Sequence, residues 1–79
     1  MGYHMKKSIE TSDIVLAASL KVLGYKLETI EKVGSRGIFY FVDIDDSVVI
    51  DYDLGKLLVE PTTFNSAIKS LTTAARRVI

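Results

Sequence analysis

Residues 43–53 carry five aspartates, Asp43, Asp45, Asp46, Asp51 and Asp53, and no base. Hard cations such as magnesium or calcium are held by several carboxylate oxygens converging at short distance. On a strand, Asp43 and Asp45 would share one face, so Asp43, Asp45 and Asp46 are the candidate metal ligands, and a metal-dependent phosphodiesterase is the enzyme they suggest. The spacing works against it. An EF-hand loop beginning at Asp43 would place Val48 where glycine is needed and Leu54 where glutamate is needed. A two-metal site would need a further carboxylate from elsewhere, such as Glu10, Glu28, Glu31 or Glu60. The expectation is a solvated edge or a capped turn, with no enzyme, no metal and no cofactor.

Residues 61–79 carry Lys69, Arg76 and Arg77 and no acid. Lys6 and Lys7 would join them in a basic face if the two chain ends lie close, and Arg36, set among the glycines of Gly34-Ser35-Arg36-Gly37, could reach a phosphate. Arg36, Lys69, Arg76 and Arg77 are therefore the residues of a nucleic-acid-binding alternative. Their plainer readings are a solvated helix end, whose carbonyls favour cations, and an exposed turn. Covalent chemistry has little to work with. Cysteine is absent, and the single histidine is His4, in a stretch Met1–His4 that reads as the remnant of a cloning junction ahead of Met5. A serine has no credible base beyond lysine or aspartate, and the GSRG run lacks the following lysine of a phosphate-cradling loop.

The positioning elements follow from hydrophobic spacing. Thr11 or Ser12 can cap a helix over 11–23, with Asp13 at its positive end and Gly24 as its stop. Its apolar residues spread over more than one stripe, so it is expected to lie centrally or to meet a second copy through Ile14, Val15 and Val22. Residues 25–33 and 38–42 read as a hairpin around Gly34–Gly37, with Ile38–Val42 as the central strand and Phe39 and Phe41 on one face as core. Segment 45–55 alternates as a third strand would, yet Asp46 or Ser47 could cap a short helix that Gly55 ends. Pro61 starts a last helix in which Phe64, Ala67, Ile68, Leu71, Ala74, Ala75 and Val78 recur at spacings of three and four. Val59 falls where it would staple to Phe64.

The stretches SDIVLAASLKVLGYKL (12–27), GIFYFVD (37–43), YDLGKLLV (52–59) and TFNSAIKSL (63–71) resemble a family of small phage, prophage and prokaryotic domains of unknown function. The resemblance implies a helix before Gly55 and carries no site residues. It tips segment 46–54 to helix, although Val48, Val49 and Ile50 each lower helix propensity by about a few tenths of a kcal/mol.

The expected architecture is α+β in the order α-β-β-α-α, a single domain over 5–79 with the hairpin covered by helices. Ten basic and ten acidic residues cancel, which removes any general attraction to nucleic acid or anionic membrane. The absence of cysteine fits a reducing cytoplasm, and no apolar run approaches the roughly 20 residues of a membrane span. At 79 residues a self-contained core is marginal, and self-association is the natural remedy. The expected function is a cytoplasmic, non-enzymatic interaction module that forms a homodimer, with a protein partner as a further option.

Overall fold

The computed structural model describes residues 6–78, and the reading of residues 1–4 lies outside them. Their order is β1 (Lys6–Thr11), α1 (Ile14–Val22), β2 (Leu27–Val33), β3 (Arg36–Asp45), α2 (Asp46–Asp53) and α3 (Pro61–Val78). The class is α+β, as the spacing predicts. The ten-residue β3 is the central strand of an antiparallel sheet ordered β1-β3-β2. A third strand exists, but it is Lys6–Thr11 and not segment 45–55, so β1 is added ahead of the expected order. β1 is an edge strand with one large apolar residue, Ile9, and edge strands are commonly polar.

Alternation along β3 aims Phe39 and Phe41 at the helices, where both are buried. Their ladder partners Thr11 and Ile9 on β1, and Ile30 and Leu27 on β2, stand on the same face. α1 and α3 pack on each other above this face. The core is Leu16, Ala17, Ala18 and Leu20 of α1, Phe39, Phe41 and Ile44 of β3, and Ala67 and Leu71 of α3. Five consecutive residues of α1, Leu16–Leu20, are buried, which spans the whole circumference of the helix. Its scattered apolar residues reflect a central position. Among the described residues Ser19 is the one buried polar side chain, and its Oγ donates to Val15 O at 2.8 Å. α3 buries the expected stripe, with Phe64, Ile68 and Ala75 half-buried beside Ala67 and Leu71.

α1 is capped by Asp13 itself, whose Oδ1 accepts from Val15 N at 2.9 Å and Leu16 N at 3.3 Å, while Thr11 Oγ1 accepts from Asp13 N at 3.0 Å. It ends in a Schellman turn: Gly24 N donates to Lys21 O and Tyr25 N to Leu20 O, each at 3.0 Å. α2 repeats the device, with Gly55 N to Tyr52 O at 3.0 Å and Lys56 N to Asp51 O at 2.8 Å. Its cap is Asp45, one residue earlier than the sequence suggests, accepting from Ser47 N and Ser47 Oγ at 3.0 Å each. These two ends, not propensity, decide the helix at 46–53. Gly24 has φ +94° and nothing within 4 Å of where a side chain would begin. Gly24→Ala is therefore expected to cost about 1 kcal/mol from backbone strain alone, read as a lower urea midpoint with an unchanged slope.

Two bulges bend the sheet. Between Lys7↔Ile44 and Ile9↔Phe41 an extra residue enters β3, and Asp43 takes it up at φ +56°. Between Leu27↔Phe41 and Thr29↔Tyr40 an extra residue enters β2 at Glu28. Such bulges increase local twist.

Candidate functional site

The three aspartates proposed as metal ligands are dispersed into separate structural positions. Asp45 caps α2, Asp46 Oδ1 meets Lys7 Nζ at 2.6 Å, and Asp43 is the exposed bulge residue. Among the described residues no group of three His, Cys, Asp or Glu side chains converges as a metal site would require.

The candidate basic residues are split. Lys6 and Lys7 pair with Asp45 and Ile44 at one end of β3, about 24 Å along the strand from Gly37. They do not join the arginines of α3. At the far end a Cβ placed on Gly37 would stand 3.4 Å from Ala75 Cβ, so the last turns of α3 pass directly over the hairpin. This close approach brings the end of α3 that carries Arg76 and Arg77 over Lys32, the ladder partner of Gly37 that the sequence did not single out, whereas Arg36 alternates to the opposite face of the sheet. Lys69 lies nearly two turns back along α3.

Of the three candidate interaction residues on α1, Ile14 and Val22 are half-buried and pack against the core, whereas Val15 is 44% exposed. The more exposed apolar groups lie elsewhere: Leu58 is 88% exposed, Leu54 61%, and Ile50 of α2 and Val33 of β2 56% each. Ile50 and Leu54 stand one turn apart on the side of α2 opposite the core-facing Val48 and Tyr52. A groove of about 230 Å³ runs between α1, α2 and the chain entering α3, lined by Val15, Ser19, Tyr52, Leu57, Val59 and Phe64. Val59 and Phe64 thus share one wall, as the staple spacing suggests.

The acids around this groove are committed internally. Asp13 Oδ2 accepts from Tyr52 Oη at 2.7 Å, tying α2 to the cap of α1. Burial, then that hydrogen bond and the charges of Asp13 and Asp53, push the Tyr52 phenol up to about 12 from 10.0. A raised folded-state pKa means its contribution is complete below pH 10 and is lost as pH rises through 12. Tyr52→Phe is expected to remove the highest-titrating phenol from the ultraviolet absorbance profile.

Glu60 caps α3. Its Oε2 accepts from Thr63 N at 2.6 Å and Thr63 Oγ1 at 2.7 Å, and its Oε1 from Thr62 N at 3.1 Å. The Thr63 hydroxyl first, then the Thr63 and Thr62 amides, hold its carboxyl at about 2 against an ordinary 4.5. A lowered folded-state pKa gives stability present above pH 4.5 and lost as pH falls through 2. Glu60→Gln is expected to flatten the acid limb of the stability profile within that window, measured by urea midpoints.

The second hollow, of about 310 Å³, lies on the other face of the sheet, lined by Ser8, Glu10, Glu28, Thr29, Tyr40 and Val42 together with Ile9 and Phe41. Tyr40 Oη donates to Glu31 Oε2 at 3.1 Å. Partial burial, that hydrogen bond and the charges of Glu31 and Glu10 raise the phenol above its ordinary value. Among the described residues no helix is long and apolar enough to cross a membrane. No known protein family, curated protein or solved structure matches the chain.

Proposed function

We propose that the chain is a small interaction module that self-associates through its exposed apolar residues, Leu58 first, with Ile50 and Leu54 on the outer side of α2 and Val15 at the α1–α2 groove. The observation that carries this is Leu58, 88% exposed and next to Leu57 and Val59, which line the groove. Burying a leucine, isoleucine or valine completely is worth about 1.5–3 kcal/mol. Weighted by exposure, the four residues represent about 5 kcal/mol per copy. A two-fold interface uses each residue twice, giving about 10 kcal/mol against an association cost of about 4–15 kcal/mol. The doubling favours a second copy over a partner that lacks the matching surface. The net charge is zero, so no general repulsion opposes it, and the acids nearest the exposed side of α2 are Asp51 and Asp53. A cytoplasmic accessory role tied to phage or mobile elements is the setting that the family resemblance suggests. Small-angle scattering tests the proposal. The radius of gyration should rise with concentration above the 12.7 Å of one chain, and a value fixed there at all workable concentrations overturns it.

The approach of α3 to Gly37 favours a second reading, a nucleic-acid-binding accessory protein that uses Arg76 and Arg77 with Lys32, and Arg36 from the other face of the hairpin end. Among the described residues none of these four forms an ion pair. Duplex DNA binding should weaken steeply as salt rises and be lost in Arg76→Glu/Arg77→Glu. Undiminished affinity in that variant removes the reading.

A further inference from the structure

The sheet has two faces and the helices α1 and α3 cover one of them. On the other, alternation along β3 sets Ile38, Tyr40 and Val42 in a row, all half-buried, with no described element above them. The charges beside this row are ordered. Glu10, the β1 partner of Tyr40, stands on one side, and Glu28 and Glu31 of β2 stand on the other. The bases of the same face, Lys6 and Arg36, lie beyond its two ends.

We infer that this open face is a docking site for an amphipathic basic helix of a partner protein, laid along β3 with its apolar stripe on Ile38, Tyr40 and Val42. Lysines or arginines flanking the stripe would reach Glu10 on one side and Glu28 and Glu31 on the other. Three arguments select that occupant. The two outer strands lie about 10 Å apart, the width of one helix, so a helix fits the sheet while its flanks reach both rows of glutamates. The bulges at Asp43 and Glu28 flank the hollow, which offers about 310 Å³ beside Tyr40 for an apolar anchor. Glutamates on both sides of the apolar row complement a helix that carries bases on both flanks of its apolar stripe.

Charge weighs against the competing occupants. A second copy would offer only Lys6 and Arg36, at the ends of the row, to the three glutamates, and phosphates of a nucleic acid would meet the same acids. This site is separate from the α1–α2 groove and does not depend on the self-association reading.

Calorimetric titration of the full chain with a synthetic helical peptide tests the inference. The peptide carries leucine along one face with lysine on both flanks. Saturable one-to-one binding is expected, weakening as salt rises and weakened at least about tenfold by Glu10→Lys/Glu28→Lys. The Asp51→Lys/Asp53→Lys variant changes net charge equally away from this face and should keep the affinity. Equal loss in both variants, equal binding of a peptide with glutamate in place of lysine, or no saturable binding overturns the inference. So does any change in self-association produced by Glu10→Lys/Glu28→Lys, which would assign the face to a second copy.

Discussion

Phe41→Ala is expected to lower the melting temperature by at least about 12 °C, because removing a fully buried ring costs about 3–5 kcal/mol and each kcal/mol shifts a domain of this size by about 4–8 °C. Phe41 is 0% exposed and stands between Ile9 and Leu27 on the neighbouring strands, so no adjacent side chain can fill the void without moving a strand. Domains hold about 0.05–0.15 kcal/mol of stability per residue, so the loss takes about a quarter or more of the total. Tyr40→Ala provides the contrast. One residue away, on the uncovered face, it should change stability by only about 1 kcal/mol. Thermal unfolding of the pair by circular dichroism separates a one-sided sheet from a sheet buried on both faces, in which the two losses would be similar.

Leu58→Asp is expected to weaken self-association by roughly three orders of magnitude while leaving the fold intact. Withdrawing a leucine from an interface costs about 2 kcal/mol, and a two-fold contact loses it twice, giving about 4 kcal/mol before the penalty of burying a charge. In the isolated chain Leu58 already lies in water, so the substitution removes no core contact. Unchanged melting at low concentration, with loss of association at high concentration, is the expected pair of results. Val15→Asp should act in the same direction but less strongly, since Val15 is only 44% exposed and sits in the first turn of α1.

The segments that strong periodicity organises were legible from the residues alone. α3 buries the stripe that its spacing predicts, and β3 carries the aromatic and β-branched run expected of a central strand. α2 was legible only through its ends, because Val48, Val49 and Ile50 suit a strand as well as a helix. The decision rests on the Asp45 cap and the Schellman turn at Gly55. β1 was hidden because KKSIET offers a single large apolar residue, and its strand character comes from pairing with β3, a contact some 35 residues away in sequence. The αL bulge at Asp43 has no local signature beyond the tolerance of aspartate for that conformation.

The candidate surfaces divided in the same way. Apolar residues spread around α1 signal either a central helix or an interface. Only the three-dimensional packing shows that Ile14 and Val22 are used inward, while Leu58 and Leu54 are the most exposed apolar residues. KLLV at 56–59 reads as an extended apolar piece, and nothing in its order reveals that Leu57 lines a groove while Leu58 faces water. The acidic row on the open sheet face was out of reach until the register was known, since Glu10, Glu28 and Glu31 meet only through their shared pairing with β3.

Sedimentation velocity of the unmodified chain, Leu58→Asp and Glu10→Lys/Glu28→Lys over a wide concentration series tests the central claim most directly. The account predicts a monomer–dimer equilibrium for the unmodified chain and for the glutamate variant, and a monomer throughout for Leu58→Asp. A monomer at every concentration for the unmodified chain, or a dimer that Leu58→Asp leaves intact, would contradict it.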